Sequence, residues 1–237
     1  MKKMANRPIY VPNTSGSAFV ITLPVEFEWY PGLAPSQKKK SIKSLHDSAL
    51  VQHGIAKALE VSSKSESPLG VQLSAFNLLI TTQKVGRTFS VECAYQSSKV
   101  FGGGGPYLDL LDKSSREAKK DPRLTSSGSL KGFSFFGTSW ELDPLTAFYD
   151  WLYINALKRK PEYWSELDEY QGFTDIEFNP DRSINCQAYS VALFCSFRKR
   201  GLLDEATSSK ENFLAMIKSA PKSNARQNEL KQPGLAF

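Results

Sequence analysis

The chain has 237 residues, of which 41% are hydrophobic and 23% are charged, a composition typical of a globular protein rather than a disordered or fibrous one. Its three cysteines, Cys93, Cys186 and Cys195, contain no CxxC pair, which disfavours a disulfide framework and a thiolate zinc site. Only two histidines are present, and no apolar run approaches the roughly 20 residues that a membrane span needs. We therefore expect a cytoplasmic protein that uses no metal and no cofactor.

The net charge of +6 is concentrated at the two ends of the chain. Residues 1–60 carry a net charge of +4, residues 61–196 carry −2 and residues 197–237 carry +4. Basic segments on both sides of a nearly neutral core suit a polyanionic partner, because lysine and arginine release counterions when they neutralise phosphates. Basic ends also favour solubility alone. Charge by itself leaves both interpretations open.

The first half of the chain is predicted to contain a small β element and one long helix. β-Branched and aromatic side chains over residues 19–30 predict one or two short strands, broken at Pro24. Apolar residues at helical spacing predict a helix over residues 41–59. A run of three lysines precedes this helix: Lys38, Lys39 and Lys40. Residues 71–88 are predicted to be extended.

The remainder of the chain is predicted to be mainly helical. The predicted helices cover residues 91–100, a short segment after a serine cap at 114–115, and residues 143–160 and 187–200. Four successive glycines, Gly102–Gly105, end the first of them, because glycine destabilises a helix by about 1 kcal/mol relative to alanine. Residues 126–136 are predicted to form a loop, and the composition from Ser219 onward predicts a loose tail. The predicted fold is therefore an α-rich α+β single domain, helical with a small N-terminal β element.

Three polar residues of the helix predicted over residues 91–100 suggest a reaction centre. Glu92, Gln96 and Lys99 share one helical face, because positions four and seven residues apart lie on the same side. A lysine packed on such a face is disfavoured as an ammonium ion and becomes a neutral nucleophile. The same spacing also fits an ordinary polar stripe, so both interpretations stay open.

An acidic stretch is the second candidate, and it contains Asp175, Glu177 and Asp181. Asp175 and Glu177 point to the same side if this stretch is extended. A carboxylate beside a sugar carbon stabilises an oxocarbenium-like centre or activates water. A solvated turn is the alternative. The glycine run Gly102–Gly105 matches neither the Walker A nor the dinucleotide fingerprint, so a phosphate loop there has little support.

The segment FSVECAYQSSK, residues 89–99, resembles the central motif of the NADAR (YbiA-like) superfamily, in which a Glu, a Gln and a Lys recur in this register. Residues 73–77 are similar to the family's Ser-Asn-Phe segment, with the last two residues transposed. Residues 59–78 resemble the branch encoded beside DarT-type toxins, which ADP-ribosylate guanine in DNA. Further segments fall in the family order: residues 115–120, Trp140, residues 146–157 and residues 174–177. The resemblance covers about residues 59–200.

This resemblance implies an N-glycosidase that removes ADP-ribose from guanine in DNA, and hence an antitoxin whose partners are ADP-ribosylated DNA, the ADP-ribose product and a DarT-type toxin. For this activity we assign the nucleophilic role to Lys99, because it shares a helical face with Glu92. Glu92 is expected to hold Lys99 and move protons, and Asp175 or Glu177 to stabilise the transition state or assist water. We expect ligand binding by a larger set: Ser63, Lys64, Phe76, Asn77, Tyr95, Gln96, Trp140 and Asn185. On DNA, the backbone would be contacted by Lys38, Lys39 and Lys40.

The expected organisation is a basic N-terminal extension with the β element over residues 1–58, a catalytic domain over residues 59–200 and a basic tail over residues 201–237. Two other functions remain open. One is a non-enzymatic module that binds ADP-ribose or modified DNA, or that neutralises the toxin by contact. The other is an N-glycosidase that acts on a small molecule of the riboflavin pathway.

Overall fold

The computed structural model describes residues 3–83, 86–180 and 183–220. In this part of the chain nine strands form three sheets, and they occur from residue 4 to residue 174. The expectation of a helical fold with a small N-terminal β element is therefore wrong, and the protein has a mixed α/β fold. Six of these strands have only three residues, which is too short to show the alternation by which strands are predicted.

The elements have the following bounds. The strands are β1 (Met4–Pro12), β2 (Val20–Glu28), β3 (Ala58–Glu60), β4 (Leu79–Thr81), β5 (Thr88–Ser90), β6 (Lys99–Phe101), β7 (Leu130–Phe135), β8 (Thr138–Trp140) and β9 (Gly172–Thr174). The helices are α1 (Pro35–His53), α2 (Pro68–Gln72), α3 (Val91–Ser97), α4 (Ser115–Lys119), α5 (Arg123–Ser126), α6 (Ala147–Lys158), α7 (Trp164–Leu167), α8 (Gln187–Lys199), α9 (Leu203–Ser208) and α10 (Lys210–Ser219). Short 3-10 helices cover Leu108–Asp112 and Pro161–Tyr163.

The largest sheet joins distant parts of the chain in the order β2–β1–β9–β3. Strands β1 and β2 are antiparallel along their whole length, whereas β9 is antiparallel to β1 and parallel to β3. Pro24, expected to break a strand, lies within β2 opposite Pro8. The edge position of β2 tolerates this residue, because a missing N–H there removes no bond from a central ladder. The sheet thus combines strands from the predicted N-terminal extension and the predicted catalytic domain.

Helix α1 covers one side of this sheet, six residues closer to the N-terminus than predicted. Pro35 stands in its first turn, where its missing N–H has no helical partner to lose. Gly54 ends the helix with a φ of 70°, a left-handed conformation that favours glycine. Ile42 and Leu45 are buried in a small core against the sheet.

Helix α3 is shorter than predicted, and this changes where Lys99 lies. The helix ends at Ser97, and Lys99 is the first residue of β6. The carbonyls of Ser97 and Ser98 accept hydrogen bonds from the amides of Tyr107 (2.8 Å) and Ser134 (2.7 Å), so they serve the tertiary fold rather than a further helical turn. Strand β7, which pairs with β6, occupies most of the predicted loop over residues 126–136.

The predicted helices are confirmed more often than the predicted loops. Ser114 caps α4 in a capping box with Glu117, and α8 occupies Gln187–Lys199 as expected from its apolar pattern. Beyond residue 200, α9 and α10 fold against the core, where Phe213 is fully buried. Residues 221–237 of the predicted tail lie outside the described residues. Among the helices described, none is long and apolar enough to cross a membrane.

Candidate active site

A cavity of about 690 Å³ collects almost all the residues that the sequence suggested for catalysis and ligand binding. Eleven of the twelve line it: Ser63, Lys64, Phe76, Asn77, Glu92, Tyr95, Gln96, Lys99, Asp175, Glu177 and Asn185. The exception is Trp140, which is 3% exposed and packs in the core between Phe148 and Trp151. Asp181 lies outside the described residues.

The start of α3 is tied to the segment that carries Phe76 and Asn77. The Ser90 hydroxyl caps the helix by accepting from the Cys93 amide (3.0 Å). The preceding amide, that of Glu92, donates to the carbonyl of Ala75 (2.9 Å). The Ser115 hydroxyl, at the start of α4, donates to the carbonyl of Phe76 (2.9 Å). These bonds place Glu92, Phe76 and the start of α4 around the opening of the cavity.

The Glu92 carboxylate is buried, and it takes part in one hydrogen bond and one ion pair. Gln96 Nε2 donates to Glu92 Oε1 at 2.9 Å, as expected for an i, i+4 pair. Lys119 Nζ lies 3.8 Å from the same oxygen, although its own side chain is 58% exposed. Glu92 is therefore held by α3 and α4 together.

Lys99 reaches the cavity from β6, half-buried, with its ammonium 4.9 Å from the ring centre of Tyr95. In the described part of the chain, no carboxylate oxygen lies within 4.0 Å of it. Burial lowers the pKa of Lys99 to about 8; Glu92 opposes this shift, and the charge of Lys119 adds to it. At pH 7 about a tenth of this side chain is therefore a neutral amine, a far larger fraction than an ordinary lysine has.

The four glycines after β6 hold the Lys99 backbone rather than a phosphate. The amides of Gly102 and Gly103 donate to the carbonyls of Ser129 (3.0 Å) and Ser127 (2.9 Å), so neither is available to cradle an anion. Gly105 has a φ of 91°, and a Cβ atom there would lie 2.3 Å from the Lys99 carbonyl oxygen. Only glycine fits this close approach.

The acidic side of the cavity follows β9. Asp175 is 8% exposed, and its carboxylate accepts from the Glu177 amide (3.0 Å). Burial, and after it the nearby charge of Glu60, raises the pKa of Asp175 to about 8. Glu177 is more exposed and forms an ion pair with Lys38 of α1 at 3.0 Å. The two carboxyl groups thus differ in environment and can take different roles.

A buried hydrogen-bond network supports this acidic segment from behind, and sequence reasoning missed it. Glu60 accepts from the Ser62 hydroxyl (2.7 Å), the Thr174 hydroxyl (2.7 Å) and the Ile176 amide (2.8 Å). Since the Thr174 hydroxyl donates to Glu60, it accepts from His46 Nε2 at 2.8 Å, which requires the proton of His46 on Nε2. Burial lowers the pKa of His46 to about 4. Residues on both sides of Asp175 are therefore anchored.

The cavity wall also offers unused hydrogen-bonding and charged groups. Three buried polar atoms, Gln96 Oε1, Ser74 Oγ and Asn185 Oδ1, have no hydrogen-bond partner among the described residues. Lys64 and Arg116 line the opening, and the described residues provide neither with an ion-pair partner. Asn185 Nδ2 donates to the Tyr95 hydroxyl at 2.7 Å. Such a wall suits a polar ligand that carries negative charge.

Sequence reasoning assigned no role to several cavity residues: Ser74, Arg116, Lys119, Tyr149 and Gln187. A signal existed for two of them. Ser114 and Glu117 form a recognisable capping box, and a helix that begins there presents Arg116 and Lys119, three residues apart, on one side. The other three had no such signal, because only packing between distant segments brings them to the cavity.

The three lysines suggested for DNA contact have different surroundings. Lys38 is 13% exposed, lies over the Trp29 ring and pairs with Glu177. Lys39 is exposed and pairs with Glu66 at 3.3 Å. Lys40 is exposed near the Tyr30 ring. The structure therefore pairs Lys38 with a carboxylate of the cavity and leaves its two neighbours on the surface.

Comparison with known protein families identifies the family to which this chain belongs. The sequence family described as DarT1-associated NADAR antitoxin matches residues 5–227, which is nearly the whole chain. This chain belongs to the NADAR-DarT1 antitoxin family. Its functional link is therefore to a DarT-type toxin. No curated protein matches the chain.

The family match extends well beyond the segment on which the resemblance was based. It includes β1, β2 and α1, so the residues that build the sheet next to the cavity belong to the NADAR-DarT1 unit. As for metal chemistry, no cluster of three or more His, Cys, Asp or Glu side chains suited to a metal ion occurs within residues 3–83, 86–180 and 183–220.

Proposed function

We propose that this NADAR-DarT1 antitoxin is an N-glycosidase that removes ADP-ribose from ADP-ribosylated guanine in DNA. The observation that carries the proposal is a half-buried lysine without an ion-pair partner in the described chain, sharing one cavity with three carboxyl groups. Lys99 is the amine, and the carboxyl groups belong to Glu92, Asp175 and Glu177. A nucleophile with neighbouring acids and bases is the set needed to break a bond at an anomeric carbon.

In the first step, the neutral amine of Lys99 attacks the anomeric carbon that joins ADP-ribose to the exocyclic amine of guanine. The carbon–nitrogen bond to Lys99 forms as the bond to guanine breaks. Glu92 accepts the proton that the attacking amine loses. Asp175, whose raised pKa keeps it protonated at neutral pH, donates a proton to the departing guanine.

In the second step, the ribose ring opens. The ring oxygen takes a proton and leaves a carbon–nitrogen double bond, a Schiff base, between the sugar and Lys99. Water then adds to this carbon with Glu177 as the general base, the Lys99 amine departs, and the ring closes on free ADP-ribose. Glu92 supplies the proton of the ring oxygen, and the proton that Glu177 takes from water returns to Asp175, so the enzyme is regenerated with water as the co-reactant.

The remaining cavity residues divide by chemistry. Lys64 and Arg116 meet the two phosphates, together with the polar groups of Ser63 and Asn77. The nucleoside parts contact a second set of residues: Phe76, Tyr95, Gln96 and Asn185. Outside the cavity, the exposed Lys39 and Lys40 contact the DNA backbone, while Lys38 stays with Glu177. The unpaired cations and the unsatisfied amide oxygens support this division.

A turnover assay tests the proposal. Single-stranded DNA that carries one ADP-ribosylated guanine is mixed with a substoichiometric amount of protein, and free ADP-ribose and unmodified DNA are measured. We expect many turnovers, a loss of at least about 10³-fold in Lys99→Met, and no loss in Lys131→Met, an exposed lysine of β7 outside the cavity.

Borohydride reduction during turnover tests the covalent route. It should attach the reduced ADP-ribosyl group to the Lys99 peptide of the wild type, as read by mass spectrometry. Full activity in Lys99→Met would contradict this route. Modified DNA that stays bound and unchanged would instead indicate a reader or a blocking module.

A further inference from the structure

The position of Lys119 has a consequence for the reactivity of Lys99. Lys119 Nζ lies 3.8 Å from Glu92 Oε1, the carboxylate oxygen that already accepts from Gln96. Its ammonium also lies 5.2 Å from the ring centre of Phe76, and the carbonyl of Phe76 accepts from Ser115 at the start of the same helix. Lys119 is therefore held in place between α4 and the buried carboxylate.

This arrangement separates the two groups that would otherwise pair. Glu92 is the carboxylate whose charge acts most strongly on Lys99, yet no ion pair joins them in the part of the chain that the structure describes. An ion pair between them would hold Lys99 as an ammonium ion and remove its nucleophilic lone pair. Lys119 forms an ion pair with Glu92 instead, and it adds a second positive charge to the same cavity.

We propose that Lys119 is a positioning residue that favours the neutral form of Lys99, by engaging the Glu92 carboxylate so that it forms no ion pair with Lys99 and by repelling a second cation. The inference rests on the proposed function in one respect only: Lys99 must be the nucleophile for its neutrality to matter to turnover. The charge state itself is independent of turnover. A neighbouring ammonium is a known means of making a lysine nucleophilic.

Other ionisable groups of the cavity also face Lys99. The charged ones are Lys64, Glu92, Arg116, Lys119, Asp175 and Glu177. Two phenols, Tyr95 and Tyr149, have pKa values that burial raises above the usual range, so they stay neutral in the range of interest. Asp175 titrates in the same range as Lys99, and a rate profile alone would therefore mix the two groups. The test must read the amine directly.

Competitive acetylation with trace acetic anhydride, from about pH 6 to about pH 10, reports the neutral fraction of each lysine by peptide mass spectrometry. The full chain is compared in four forms: wild type, Lys119→Gln, Lys119→Arg and Lys120→Gln. Lys120 is the neighbouring exposed lysine and lies outside the cavity. Its substitution by glutamine removes the same charge as Lys119→Gln. In Lys119→Gln we expect the pKa of Lys99 to rise by about 1, because Glu92 becomes free to pair with it.

In Lys119→Arg and Lys120→Gln the pKa of Lys99 should stay at the wild-type value, because the charge near Glu92 is kept. If Lys119→Gln leaves the Lys99 pKa where Lys120→Gln leaves it, the inference is overturned, whatever happens to the rate. A wild type that shows the low pKa and the shift but does not turn over would contradict the proposed function while supporting the role of Lys119. The 58% exposure of Lys119 makes misfolding of these variants a minor concern, and near-UV circular dichroism checks it.

Discussion

The ammonium of Lys38, in the first turns of α1, lies 3.0 Å from the carboxylate of Glu177, which follows β9. The Lys38 side chain is 13% exposed and that of Glu177, which lines the cavity, is 46% exposed. A helix of the predicted N-terminal extension thus contacts a carboxylate of the proposed reaction centre.

Lys38→Met should lower turnover about tenfold, because a mobile Glu177 no longer holds water in one orientation. Lys43→Met provides the matched control on the same helix. Within the residues that the structure describes, Lys43 pairs only with Asp47, across an exposed i, i+4 spacing worth about a few tenths of a kcal/mol. Single-turnover rates on modified DNA measure the effect. Equal rates for the two variants would show that the Lys38–Glu177 pair has no part in the reaction.

Asp175→Asn should change how stability depends on pH. The pKa of Asp175 is about 8 in the folded protein and near 3.8 in the unfolded protein. Between pH 3.8 and pH 8 the folded state therefore binds one more proton than the unfolded state, so wild-type stability falls as pH rises. The slope approaches about 1.4 kcal/mol per pH unit at most. Asparagine resembles the protonated acid and has no such slope.

Urea unfolding of the wild type and Asp175→Asn from about pH 6.5 to about pH 8 provides the measurement. His46, whose pKa is depressed to about 4 in the folded protein, still titrates in the unfolded state near pH 6.5, but it contributes equally to both proteins and cancels in their difference. We expect the variant to gain stability over the wild type steadily across this window. Parallel curves would mean that Asp175 is ionised throughout.

Arg116→Gln and Lys64→Gln should each weaken ADP-ribose binding about tenfold, because each removes a charged donor to a phosphate. Neither should weaken the binding of adenosine, which lacks the diphosphate. Lys113→Gln, an exposed lysine just before α4 and outside the cavity, is the control. Calorimetric titration gives both affinities. A loss of adenosine affinity equal to that of ADP-ribose would argue against phosphate contact.

Gly105→Ala should destabilise the protein by about 2–4 kcal/mol, since alanine is strained at a φ of 91° and its Cβ meets the Lys99 carbonyl. Gly102→Ala, three residues earlier, is the control. A Cβ there makes ordinary contacts, the nearest at 3.7 Å, and should change stability by less than about 1 kcal/mol. The free energy of unfolding in urea separates the two. Similar values would mean that the loop relaxes around Gly105.

Local signals predicted the elements whose cause is local. The Ser114–Glu117 capping box and the apolar pattern of α8 lie within a few residues of the helices they specify, and both helices are present. The predicted loop over residues 126–136 was wrong because β7 depends on pairing with β6. The predicted helix over residues 91–100 was too long for the same reason. Lys99 pairs with Phe133 of the neighbouring strand, and a helical pattern in the sequence does not predict that partner.

The sequence by itself determined the family, through the register of Glu92, Gln96 and Lys99, and most of the residues that line the cavity. Only the tertiary structure decided their environment. The ion pair of Lys38 with Glu177, the burial of Asp175 beside Glu60 and the contact of Lys119 with Glu92 all join segments far apart in the chain. Burial and neighbouring charge set the pKa of a side chain, and both are properties of packing, so residue order alone could not reveal the lowered pKa of Lys99 or the raised pKa of Asp175.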